Sequence, residues 1–99
     1  MTMPTYISLL RLTQQGMQNI KESPNRVAAS RKAFENAGGR LRDIYVVTGQ
    51  YDFVAIMEAP DDEAAARMAL SLGALGNVRS ETMRAFTEEE YRRIVGALP

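Results

Sequence analysis

Neither cysteine nor histidine occurs in the 99-residue chain. Without cysteine there is no disulfide framework, no thiolate nucleophile and no iron–sulfur cluster. Without histidine, the commonest metal ligand and the usual general base near neutral pH are both missing. A histidine-ligated haem and a histidine-type zinc site are therefore excluded. Net charge is lacking as well: twelve basic and twelve acidic residues cancel. A balanced chain has no electrostatic footprint for nucleic acid and no lysine cluster for anionic lipid. No apolar run approaches the roughly 18 residues of a membrane span. The run after Pro4 is short and is interrupted at Ser8 and Arg11, so it does not read as a signal peptide. These absences predict a cytoplasmic protein with no cofactor, no metal, and no nucleic-acid or membrane partner.

Apolar and charged residues are present in ordinary globular proportions. The length suits one domain over residues 1–99, which would bury roughly two thirds of its unfolded surface. That leaves little margin, and pairing with a second copy would widen it.

Residues 6–12 read as a strand that is too apolar for clean alternation, so both of its faces are at least partly covered. Met17-Gln18-Asn19-Ile20 suggests an extra helical turn. Ser23-Pro24 starts a helix, with Ser as cap and Pro at its first position. Val27, Ser30, Phe34 and Ala37 recur at helical spacing, while Arg26, Arg31 and Lys32 fall mostly off that face. Gly38-Gly39 ends the helix. Residues 44–48 and 51–57 read as two strands joined through Gly49-Gln50, which predicts a tight hairpin with a type II′ turn and Gly49 at its first central position. Pro60-Asp61-Asp62-Glu63 opens a second helix with acids at its positive end, and Ala65, Met68, Ala69 and Leu72 form its buried stripe. Residues 78–86 form a fourth strand, with Arg79 and Arg84 on opposite faces. Thr87 and Glu90 fit a capping box. The short helix after it would bury Tyr91, Ile94, Val95 and Leu98.

The order is βαββαβ with a C-terminal helix, the α+β ferredoxin-like plan with a four-stranded antiparallel sheet. Right-handed crossovers put both main helices on one face. The other face is left bare, although Val54 and Ile56 alternate with Phe53 and Met57 and make both faces apolar. A bare apolar face is an interaction surface, and a second copy packed sheet to sheet is the economical cover.

Thr48-Gly49-Gln50-Tyr51-Asp52 resembles the Gly-x-Tyr-Asp turn that names the GYD domain family. Gln15-Gly16, Ile20-Lys21-Glu22-Ser23-Pro24, Glu58-Ala59-Pro60-Asp61-Asp62, Leu75-Gly76-Asn77-Val78-Arg79 and Arg84-Ala85-Phe86-Thr87 extend the likeness over nearly the whole chain. The resemblance implies a dimeric α/β barrel made of two ferredoxin-like subunits. It implies no assigned reaction. Gln14 stands where relatives often carry an acid, and Val46-Val47 where they often carry Trp-Thr.

The candidate ligand-binding residues are Tyr6, Tyr45, Tyr51, Asp52, Arg79 and Arg84. Tyr51 could donate a hydrogen bond, and a partly buried Asp52 could act as a base. Equally, Gly49 could simply make the turn, Tyr51 cover it and Asp52 accept backbone or arginine hydrogen bonds. An arginine at 79 or 84 could grip a carboxylate in two-pronged fashion, or pair with Asp52 or Glu81. Tyr6, Tyr45 and Tyr51 suit a small, partly apolar ligand and suit plain packing as well. Asp61-Asp62-Glu63 matches the helix dipole and not a calcium loop. Catalytic residues stay unassigned. The expected function is a homodimeric small-molecule-binding domain. The alternatives are a cofactor-independent enzyme of monooxygenase or isomerase type and a pure assembly module.

Overall fold

The computed structural model describes residues 3–99. Strand β1 runs Thr5–Leu12, followed by α1 at Gln14–Gln18, a 3-10 turn at Ile20–Glu22 and α2 at Ser23–Asn36. Strands β2 (Arg40–Val46) and β3 (Phe53–Glu58) come next, then α3 (Asp62–Ala74), β4 (Val78–Ala85) and α4 (Glu88–Gly96). The sheet order is β2-β3-β1-β4, and every neighbouring pair is antiparallel. This is the expected α+β ferredoxin-like arrangement with its added C-terminal helix.

Local chemistry fixes the joints. The Thr13 hydroxyl caps α1 by accepting from the Gly16 N–H, so helical turns do precede α2, but at Gln14–Gln18 and Ile20–Glu22, broken at Asn19, rather than as one turn over 17–20. Gly38 stops α2 at φ 88°, a left-handed conformation that only glycine adopts without penalty. The Asp61 carboxylate caps α3, accepting from the Ala64 N–H at 2.8 Å. At α4 the full capping box forms: Glu90 N–H donates to Thr87 Oγ1, and Thr87 N–H donates to Glu90 Oε1.

Alternation sorts the strands into two faces. Tyr6, Ser8 and Leu10 stand opposite Met57, Ala55 and Phe53 and point toward α2 and α3. Phe34, Leu41, Ala59, Ala64, Ala65 and Met68 complete the core there. Ser8, the buried polar residue of this core, shares a 3.0 Å hydrogen bond with the Thr82 hydroxyl. The alternate residues Ile7, Leu9, Val54, Ile56, Met83 and Tyr45 occupy the other face, which no helix covers.

Three expectations are corrected. The β2–β3 connection is not a two-residue type II′ turn. The ladder ends at Val46 and Phe53, the Val47 N–H donates to the Asp52 carbonyl, and Gly49 does not have the positive φ that such a turn requires. Strand β2 starts earlier, at Arg40, because it can pair at once with Glu58. Helix α4, expected to bury its apolar stripe, leaves Tyr91, Ile94, Val95 and Leu98 between 45% and 65% exposed. The stripe has helical spacing, but the described residues cover it only in part.

Candidate functional site: a cavity between sheet and helices

Helix α2 packs on β2 and α3 on β4, at opposite edges of the sheet. The space left between them is a cavity of about 320 Å3 over the covered sheet face. Leu10, Phe34, Phe53, Leu72 and Val78 wall it. Its polar lining is sparse: Ser8 on the floor, Ser23, Arg26 and Ser30 from α2, Ser71 from α3 and Asn77 before β4. Among the described residues of this lining, Arg26 alone carries a charge.

One rim of the cavity is a polar latch. The Thr13 hydroxyl donates to the Gly76 carbonyl at 2.5 Å, and the Thr13 N–H donates to the Asn77 carbonyl at 3.0 Å. The Gln15 side-chain amide donates to the Leu75 carbonyl and to Asn77 Oδ1, both at 3.1 Å. Gly16 sits so close that a Cβ there would collide with the Asn77 carbonyl oxygen. Gln15-Gly16 and Leu75-Gly76-Asn77, far apart in sequence, thus close one end of the same space.

None of the six sequence-derived candidates lines this cavity, and the structure does not bring them together. Tyr6 and Arg84 lie side by side on the covered face. The Tyr6 hydroxyl donates to Asp62 Oδ1 at 2.5 Å. Burial and that carboxylate push the Tyr6 phenol up to about 12. Arg84 pairs with Glu90 at 3.6 Å, and with neither Asp52 nor Glu81. Its guanidinium also donates to the Thr5 carbonyl at 3.3 Å and to the Ala85 carbonyl, and lies 4.3 Å from the Phe86 ring centroid. The pair ties the first turn of α4 to β4.

Tyr45, Tyr51 and Arg79 belong to the open face. Tyr51 folds back over the end of β1: Arg11 stacks 4.7 Å from its ring centroid, and its hydroxyl donates to Glu81 Oε2 at 3.0 Å. That hydrogen bond to Glu81 raises the Tyr51 phenol. Arg79 stands directly across from Arg11 in the β1–β4 register. Asp52 belongs to the strand end. Its carboxylate accepts the Leu12 N–H at 2.8 Å, and its own N–H donates to the Leu10 carbonyl at 2.9 Å, continuing β1's pairing where β3 stops.

Arg26 is the functional candidate that sequence spacing missed. Its place on the helical wheel put it off the buried face. Among the described residues there is no cluster of three or more metal-ligating side chains, and no helix is long and apolar enough to cross a membrane.

Comparison with known proteins agrees with this architecture. The sequence model of the GYD domain matches residues 6–95. The glutamine synthetase and cystathionine beta-lyase binding protein of Thermus thermophilus is 37% identical over 84 residues, covering 84% of this chain and 88% of that protein. The crystal structure of TTHA0845, also from Thermus thermophilus, superposes with a TM-score of 0.56 at 30% identity, covering 86% of this chain and 95% of that one. With its βαββαβ sheet and a match over nearly its whole length, this chain belongs to the GYD domain family.

Proposed function

We propose that this chain is a homodimeric binding domain of the cytoplasm, with two copies joined through their open sheet faces. Each copy holds a small, largely apolar molecule between its sheet and its helices. The cavity carries this reading. Protein interiors are close-packed, with few voids larger than a water molecule. A space of about 320 Å3 falls instead within the range of about 300–1,000 Å3 in which small-molecule sites lie. Its apolar wall and few polar groups match such sites. The open face supports the pairing. A two-fold interface buries the same patch on both copies, so one contact would cover Ile7, Leu9, Val54 and Ile56 twice. Zero net charge offers no repulsion against it.

The name of the Thermus relative, a binding protein for two enzymes, favours a second reading. In it, association with other proteins is the function, and the exposed stripe of α4 supplies a surface for it. A catalytic reading built on Asp52 is weaker. Its Oδ2 already accepts a backbone N–H at the end of β1, a structural task, and the carboxylate does not line the cavity.

Native mass spectrometry of the protein purified without added ligand separates these readings. A dimer carrying an extra non-covalent mass supports the small-molecule reading. A dimer of bare chains moves the weight to the assembly module.

A further inference from the structure

We infer that the cavity ligand is an amphipathic monocarboxylate, with its apolar body between α2 and α3 and its carboxylate on Arg26. This inference rests on the small-molecule reading above and adds the chemical class. Three observations lead to it.

The first is isolation of charge. Arg26 lines the cavity, and no acidic or other basic side chain joins it there. It takes part in no ion pair among the described residues. Its natural partner would be Glu22, one helical turn earlier at i,i+4 spacing. That carboxylate instead accepts from the Asn25 side-chain amide at 3.1 Å. Arg26 is half-buried, so an anion entering the cavity would meet a guanidinium with no competing carboxylate among the described residues.

The second is orientation. The Arg26 Nη1 donates to the Asn19 carbonyl at 2.8 Å, and Nη2 donates to the Gly16 carbonyl at 3.3 Å. These bonds hold the guanidinium against the latch that closes the cavity end. They use two of its five N–H donors. The remaining donors sit in the rigid fork that matches a carboxylate bidentately. Ser23, the first residue of α2, lines the same cavity, so the positive end of the helix dipole adds to the field there.

The third is the wall. Leu10, Val27, Phe34, Phe53, Leu72 and Val78 offer no partner to a second charge. A dianion or zwitterion would bury an uncompensated group. A single carboxylate on an apolar body satisfies both the wall and the arginine.

The test uses octanoate and octan-1-ol, titrated separately into the full chain at pH 7 by isothermal calorimetry. Octanoate is expected to bind about tenfold or more tighter than the alcohol, the margin of a charge-assisted pair over a neutral one. In Arg26→Met, which keeps the apolar stem, that preference should vanish while octan-1-ol still binds. Arg26→Gln keeps a donor for the Asn19 carbonyl and repeats the test should the Met variant not fold. Equal affinity of the two probes for the wild type, or a preference surviving both substitutions, overturns the carboxylate assignment and leaves the cavity reading standing. Binding of neither probe overturns the small-molecule reading itself.

Discussion

The two faces of one sheet are made by the same strands with the same register, yet they differ in almost everything else. On the covered face, Tyr6, Ser8, Leu10, Ala55 and Met57 are buried, their polar atoms are paired, and the helices leave a defined cavity. On the open face, Ile7, Leu9, Val54 and Ile56 are as apolar as their neighbours but only half-buried, and Tyr45 is 56% exposed. Strand periodicity is two residues, so the chain could have carried polar residues all along the open side, as antiparallel sheets with a wet face do. Instead the two central strands present Ile7, Leu9, Val54 and Ile56 there, and the charged residues Asp43, Arg79 and Glu81 stand on the edge strands. The difference supports the proposed pairing through the open face, whose apolar centre is bordered by Arg11 and Arg79 at one end and by Glu81 and Asp43 on the flanking strands.

Three substitutions can break or sharpen this contrast. The largest effect is expected on the covered side. Phe34→Ala, at the centre of the core, should cost about 3–5 kcal/mol of stability by urea denaturation, since a large cavity would be left in already loose packing. Next comes Ile7→Lys on the open face, between Ile56 and Met83. It should leave the fold intact by circular dichroism and weaken dimerisation by about a hundredfold or more, because the interface would have to bury an unpaired ammonium. If it unfolds the chain instead, the open face belongs to the core and the contrast fails. The smallest effect concerns Tyr6. Its phenol titrates near 12 in the folded chain against 10.0 in the free side chain, through burial first and Asp62 second. The folded state therefore holds this proton more tightly. The stabilisation is fully present below pH 10 and is lost as pH rises toward 12. Denaturation of Tyr6→Phe across that window should lack this portion of the slope.

How legible the molecule is in its sequence depends on how local the signal is. The strands, the two crossover helices and the capping box at Thr87 follow from spacing and caps that operate within a few residues. The β2–β3 connection does not: Gly49 suggests a tight turn, while the pairing of Val47 with Asp52 and of Asp52 with β1 widens the loop. The amphipathic character of α4 is plain from its spacing. Where its apolar stripe goes is a question about surfaces outside one chain. Arg26 escapes because its contribution depends on how far α2 and α3 stand apart, which no periodicity encodes. The six candidates do not meet because strand alternation separates Arg79 from Arg84, and the β2–β3 connection carries Tyr51 to Glu81 on the face opposite Tyr6.

Sedimentation equilibrium of the wild-type chain over a concentration series is the most direct test of the claim that the open face is covered by a second copy. The account predicts a species of twice the 11.0 kDa chain mass, persisting to low micromolar concentration. A single-chain mass across the whole series would contradict it, because the apolar face formed by Ile7, Leu9, Val54 and Ile56 would then stand in water unaided.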